Sequence, residues 1–170
     1  MRLPTVLRRP RLRLRLRPVP LLVVALLLAA AVAVAGWTAD RRAGQRDQAV
    51  RQALATAPAA AKALFSYDYR TFDDSVANGR TFATGAFADE YAQTTTALKA
   101  TATKQQAVVL AEVSATGVVD PGPDRVELLL YLNQYRRNVT TAGEKVDQNR
   151  VVLTLVPVHG EWKVVQATAI

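Results

Sequence analysis

The chain has 170 residues and a formal net charge of +8, which allows one domain of ordinary size and an appendage. It has no cysteine, which excludes disulfides, thiolate metal sites and cysteine nucleophiles. Residues 1–18 carry seven arginines and no acidic residue, which leaves 15 basic and 14 acidic residues for the remainder. Because the excess charge belongs to a terminal segment, the sequence argues against a nucleic-acid-binding domain.

An apolar segment follows this basic tail. Residues 19–36 carry no charge, and at about 1.5 Å per residue a helix of this length crosses most of a ~30 Å hydrocarbon core. Arginine-rich flanks stay on the cytoplasmic side, so the sequence predicts a cytoplasmic tail over 1–18 and a transmembrane helix over 19–36. We expect a single-pass cell-membrane protein whose bulk is extracytoplasmic. The alternative is a cleaved signal peptide, since Ala33, Val34 and Ala35 resemble a small-residue cleavage site.

Helical spacing continues beyond the apolar segment. Apolar residues recur at intervals of three, four and seven as far as Leu64, which predicts a helical stalk over 37–57. Pro58 suits the first turn of a new helix, so we place the start of an extracytoplasmic domain there, over 58–170. An apolar stripe on this helical segment has two interpretations, a seam for a partner helix or packing against the domain. The stripe consists of Val50, Leu54, Ala57 and Ala61.

The stretch FSYDYRTFDD, residues 65–74, concentrates aromatic and acidic side chains. We interpret it as the place where a helix ends and the chain is anchored in the core. The acidic pair at 73–74 suits the start of a short helix that ends near Gly79, and a third helix is predicted after Gly85. The candidate core or pocket residues are Phe65, Tyr67, Asp68, Tyr69, Phe72, Phe87, Tyr91 and Trp162.

The second half of the chain changes its periodicity to that of strands. Four segments rich in β-branched and aromatic residues are bounded by turn formers, and they cover residues 107–118, 125–137, 148–158 and 161–168. His159-Gly160 predicts a tight hairpin between the last two. The order of elements predicts an α+β fold: a transmembrane helix and helical stalk, then a cone-like domain of about three helices packed on a curved antiparallel sheet.

This order of elements, together with residues 64–93, resembles the Mce-associated membrane proteins of actinobacteria. The segment SYDYRTFDDSVANGRTFATGAF matches that family's Ser-Tyr-Asp-Tyr, acidic and Thr-Gly-x-Phe pattern. The resemblance covers residues 19–170 and implies an outer domain similar to the nuclear transport factor 2-like fold. It also implies an accessory or scaffold subunit that stabilises or assembles an Mce-type lipid or sterol import complex through protein–protein contacts. Mce-complex proteins are then the expected partners, and contact with lipid stays open.

Catalysis is the main competing interpretation of the aromatic and acidic stretch. Three tyrosines and three aspartates supply the residue types of a ketosteroid-isomerase-type site. No predicted strand carries an aspartate in its interior, and residue types without convergent geometry are weak evidence. For Asp68 we expect a buried hydrogen bond to a tyrosine hydroxyl or a backbone amide. We expect no enzymatic activity, no cofactor and no metal site, since His159 is a lone imidazole on a turn.

Two alternatives to an Mce accessory subunit remain open at this stage. The first is a scaffold subunit of a conjugation-type (type IV) secretion system, which can share the plan of tail, span and outer domain. The second is a tethered domain that binds an apolar ligand, with Tyr67 or Tyr91 lining a cone-shaped cavity.

Overall fold

The computed structural model describes residues 18–170, with side chains described from Val23 onwards except that of Ala25. The predicted cytoplasmic tail therefore lies almost entirely outside the described residues. The chain divides into two compact units between Asp40 and Arg41. The second unit, Arg41–Ile170, contains the sheet and every site discussed below.

Helix α1 extends over Pro18–Phe65. Among the described residues, no helix combines the length and the apolar character needed to cross a membrane. The first side chains of the predicted span over 19–36 are outside the described set, and that span stays a prediction.

The predicted start of a new helix at Pro58 is wrong. Helix α1 is continuous through Pro58, although the proline ring removes one intrahelical hydrogen bond. Tertiary packing holds the helix together there, because the neighbouring side chains of Ala57, Ala60 and Ala61 are fully buried against the sheet. Part of the predicted stalk over 37–57 therefore belongs to the core of the second unit.

The segment after α1 contains three short elements and one longer helix. Strand β1 is Tyr67–Asp68, a 3-10 turn covers Tyr69–Thr71, α2 is Phe72–Phe82 and α3 is Ala86–Gln105. The predicted third helix after Gly85 is present, whereas α2 runs almost a turn beyond its predicted end near Gly79. It stops where Ala83 becomes extended and bridges to Val164 of the sheet.

Four long strands complete the sheet. They are β2 (Val108–Pro121), β3 (Val126–Arg137), β4 (Lys145–Val158) and β5 (Glu161–Ala169), and neighbours in the order β1-β2-β3-β4-β5 are antiparallel. The predicted α+β fold with a meander of four strands is confirmed. Sequence analysis missed β1, because two residues are too short to show a period. Bulges in β2 and between β4 and β5 bend these strands, as a curved sheet requires.

Alternation along β3 fixes which face of the sheet is buried. Val126, Leu128, Leu130 and Leu132 are almost completely buried, and the residues between them are more exposed. Helix α1 covers this face with a row of small side chains, namely Ala49, Ala53, Ala57, Ala60 and Ala61, which ends at Leu64. Because alanine adds little bulk, the helix backbone can lie close to the sheet. Each fully buried leucine contributes about 2 kcal/mol to this core.

Candidate functional site: an aromatic cavity, a polar cleft and the outer sheet face

A cavity of about 330 Å³ lies between the end of α1, the helices α2 and α3, and the sheet. Five of the eight residues predicted for the core or pocket line it, namely Phe65, Tyr67, Phe72, Phe87 and Tyr91. Aliphatic side chains complete the apolar wall, with Val76 on α2, Leu98 on α3 and Ala167 on β5. The structure thus brings together aromatic residues that stand up to 26 positions apart in the sequence.

Local helix geometry directs these rings towards one another. The Tyr67 and Phe72 rings meet edge to face with centroids 5.5 Å apart, and Phe87 and Tyr91, one turn apart on α3, lie 6.3 Å apart. Burial raises the pKa of Tyr91, and burial also raises that of Tyr67, partly offset by the Arg136 charge. Both hydroxyls therefore stay protonated at neutral pH and can donate hydrogen bonds.

The other three predicted residues lie outside the cavity. The Asp68 carboxylate accepts a 2.9 Å hydrogen bond from the backbone N–H of Arg70 and pairs with its guanidinium. These hydrogen bonds lower the pKa of Asp68, whose side chain is 25% exposed. The backbone-amide partner expected for Asp68 is present, but the expected burial and tyrosine hydroxyl partner are not. Tyr69 lies beneath the Arg70 guanidinium, and the Trp162 indole donates a 2.9 Å hydrogen bond to Gln52 of α1.

A polar cleft of about 660 Å³, which sequence analysis missed, adjoins the cavity. Tyr67 and Gln134 line both spaces. Asn149 donates a 2.6 Å hydrogen bond to the Gln134 side chain, and Arg136 forms an ion pair with Asp147. The cleft was hidden because its lining residues come from four strands, β1 to β4, and become neighbours only through the strand register. The detectable signal was the change from apolar to polar residues on the buried face of β3 beyond Leu132.

The outer face of the sheet carries a shallow depression of about 310 Å³. Leu110, Tyr135 and Val146 occupy matching register positions on β2, β3 and β4, and the two aliphatic residues are 38% and 48% exposed. The ion pair between Arg137 and Glu144 borders this depression. We call Leu110, Tyr135 and Val146 the outer-face patch.

The outer edge of β2 is mostly open in the described part of the chain. Strand β1 pairs only with Val108 and Val109, and the Ser66 hydroxyl accepts a hydrogen bond from the Ala111 N–H. Beyond this point β2 extends to Pro121 without a strand neighbour on that side among residues 18–170. Such an edge can add a strand from another chain.

The apolar stripe proposed as a partner-helix seam packs within the chain itself. Ala57 and Ala61 are fully buried in the core, and Val50 and Leu54 are partly buried against it. The buried row on α1 is offset by one position from the predicted stripe, since Ala49 and Ala53 face the sheet. The geometry matches the second interpretation of the stripe, packing against the domain.

Sequence comparison finds relatives but no family. No protein-family model matches the chain. Two curated relatives, the uncharacterized proteins MT1407 and Rv1362c from two strains of Mycobacterium tuberculosis, are each 30% identical over 123 residues. The match covers 72% of this chain and 56% of each relative, so the chain spans a little over half the length of the curated relatives it matches.

Solved structures show the fold. VirB8 of Agrobacterium tumefaciens aligns with a TM-score of 0.57 at 14% identity and covers 74% of this chain and 92% of its own. CagV, a VirB8 homologue of the type IV secretion system of Helicobacter pylori, aligns with a TM-score of 0.56 at 10% identity. This match covers 68% of this chain and 93% of CagV. An IcmL-like type IV secretion system protein of Legionella pneumophila aligns with a TM-score of 0.55 at 18% identity. This match covers 67% of this chain and 88% of that protein's chain.

At these identities the likeness establishes the fold alone. The domain has the α+β fold of VirB8, and the predicted likeness to the nuclear transport factor 2-like fold is confirmed at this level. None of these matches carries an Mce name, so membership of the Mce-associated family stays a prediction.

Proposed function

We propose that this chain is a non-catalytic scaffold subunit of a cell-envelope complex of the type IV secretion kind. The observation that carries the proposal is the fold match to VirB8, CagV and the IcmL-like protein, which extends over 88–93% of those chains. In this proposal residues 19–36 anchor the chain in the membrane and the domain binds other subunits outside the cytoplasm. It is the alternative left open by the sequence, and it now has more support than an Mce accessory role.

The outer-face patch is the proposed contact surface. An apolar centre bordered by charged side chains is the usual composition of a protein interface, and here Leu110, Tyr135 and Val146 form the centre. The Arg137–Glu144 pair and Glu112 supply the charged border. A partner that covers the patch would also lie near the open edge of β2, since that edge begins just beyond Ala111, the residue after Leu110.

Charge placement supports the non-catalytic part of the proposal. Two of the three aspartates that suggested acid–base chemistry have basic neighbours: Asp68 is paired with Arg70, and Asp73 with Lys99, whose ammonium lies 2.6 Å from the carboxylate. Neither of these aspartates lines the aromatic cavity, and where Asp68 and Tyr67 do line a common surface depression, of about 570 Å³, the Asp68 carboxylate is paired with Arg70. A ketosteroid-isomerase-type site needs its carboxylate base and its tyrosine to face one apolar substrate pocket.

Site-specific photo-crosslinking in native membranes tests the proposal. A photoreactive p-benzoylphenylalanine replaces Tyr135 in the full chain, and a matched variant carries it at Lys104, an exposed position on α3. We expect adducts with secretion-type channel subunits from Tyr135, with far fewer from Lys104, and a loss of adducts after Leu110→Asp. Equal labelling at both positions, or none, would refute the interface, and adducts with Mce import subunits would favour the accessory role instead.

A further inference from the structure

The aromatic cavity and the polar cleft share a wall. Tyr67 and Gln134 line both, so an elongated molecule whose apolar end lies among the aromatic rings meets amide and hydroxyl groups at its other end. Adjacent apolar and polar compartments of this kind match an amphiphile and do not match a purely apolar molecule.

The cavity volume sets the size of the apolar part. A dry apolar cavity of about 150 Å³ accommodates benzene, so the 330 Å³ found here holds about twice as many carbon atoms, on the order of twelve. The rings of Phe72, Phe87 and Tyr91 form much of its wall. A single alkyl chain fits this volume, and a two-chain lipid exceeds it.

The charges around the cleft set the chemistry of the head. The two charged residues that line the cleft, Arg136 and Asp147, form an ion pair with each other, so the lining carries no net charge; Lys145 also approaches Asp147, at 3.3 Å, but does not line the cleft. The amides of Gln134 and Asn149 can both donate and accept hydrogen bonds, as a hydroxyl or amide head requires. Glu90 on the cavity rim further disfavours a carboxylate or phosphate.

We propose that the cavity and the cleft form one binding site for an uncharged single-chain amphiphile. About twelve carbons occupy the aromatic cavity, and a hydroxyl- or amide-bearing head contacts Gln134 and Asn149 in the cleft. The aromatic cavity lies on the helix side of the sheet, and the cleft borders the outer-face patch at Val146, which belongs to both. The inference goes beyond the scaffold function and does not depend on it.

Photolabelling of the full chain in phosphatidylcholine nanodiscs tests the site. The probe is a monoacylglycerol of twelve carbons whose chain ends in a diazirine, so the reactive group lies deep in the cavity. We expect adducts on cavity-lining residues of α2 and α3, mapped by mass spectrometry. Val76→Phe fills the cavity from α2 and should reduce them at least about tenfold, the equivalent of 1.4 kcal/mol in binding. The matched control, Val119→Phe on exposed β2, should leave labelling unchanged.

A second cavity variant controls for misfolding of the first. Thr94→Phe lies on the exposed rim of the cavity and should also reduce labelling without disturbing the core. Labelling that persists in both cavity variants, or that is confined to residues outside the cavity, would overturn the proposal. A fatty-acid probe with the same chain should label several-fold less, and equal labelling would overturn the inference that the head is uncharged.

Discussion

Gly79 lies where the three helices meet, and its replacement by alanine tests how the cavity is shaped. Gly79 is buried on α2, and an added Cβ would overlap the Tyr91 hydroxyl of α3 and lie 2.9 Å from the carbonyl oxygen of Ala63 on α1. The Tyr91 ring is a side chain that lines the cavity and would have to turn into it, whereas the Ala63 carbonyl belongs to a helix backbone and can move only if α1 is displaced.

Two opposing effects determine how much Gly79→Ala changes the free energy of unfolding. Alanine is more favourable than glycine in a helix interior by about 1 kcal/mol. Overpacking a filled site costs about 1–3 kcal/mol, and overlap with a backbone carbonyl and an aromatic ring places Gly79→Ala at the upper end. We therefore expect a net loss of about 2 kcal/mol in unfolding free energy, which for a chain of this size lowers the Tm by about 4–8 °C.

Thermal unfolding of the full chain, followed by near-ultraviolet circular dichroism, measures this effect. Gly44→Ala is the matched control, because Gly44 also lies in a helix and a Cβ there has no described atom within 4 Å. It should be neutral or stabilising by up to about 1 kcal/mol. Adding Tyr91→Leu to Gly79→Ala should recover only part of the loss, since the Ala63 carbonyl remains. Equal Tm values for the two alanine variants would refute the close approach of the three helices.

Three further predictions concern the core, the long helix and the cleft. Trp162→Phe removes the indole donor to Gln52 and should lower the unfolding free energy by about 1–2 kcal/mol. If the double variant with Gln52→Ala loses the sum of the two single losses in unfolding free energy, the contact is refuted. Pro58→Ala restores a backbone hydrogen-bond donor inside α1 and should raise the unfolding free energy by up to about 3 kcal/mol, measured by urea denaturation. A lower urea midpoint than that of the unchanged protein would contradict this prediction. Hydrogen bonding from Arg136 lowers the pKa of Asp147, so this carboxylate stabilises the fold at neutral pH and the stabilisation is lost as the pH falls below the ordinary value of 3.8. An NMR titration of Arg136→Gln should move the Asp147 midpoint upward, and an unchanged midpoint would exclude the pair.

The sheet was predictable because its signals are local. Strand β3 is a short segment rich in large apolar and aromatic residues that follows a Pro-Gly turn. The His159-Gly160 turn adopts the positive φ angles, 51° and 86°, that such a hairpin requires. The aromatic cavity was partly predictable for the same reason, since Phe87 and Tyr91 share one face of α3. The observed strand ends differ from the predicted ones by up to three residues, which is the usual uncertainty where pairing alone decides an end.

The remaining features depend on contacts between distant segments. Pro58 indicates a helix start when only its neighbours are considered, and the helix is continuous because burial of Ala57 and Ala61 on the sheet outweighs one lost hydrogen bond. The predicted stripe on α1 lies one position away from the residues that are buried. Larger residues such as Leu54 dominate a hydrophobic pattern in the sequence, whereas the residues that pack on the sheet there are alanines. The polar cleft required the strand register, which no local pattern supplies.

The cavity and the cleft both result from one break in the apolar pattern on the buried face of β3. Along its buried face this strand carries Val126, Leu128, Leu130 and Leu132 under the alanines of α1, and there the packing is tight. At the next inward position it carries Gln134, whose amide cannot seal an apolar space and instead bonds to Asn149. A leucine at this position would continue the pattern and close the junction between the two compartments. Natural sequences break a local rule mainly where function requires it, so the polar residue at 134 favours a site kept open for a ligand over an imperfectly packed core.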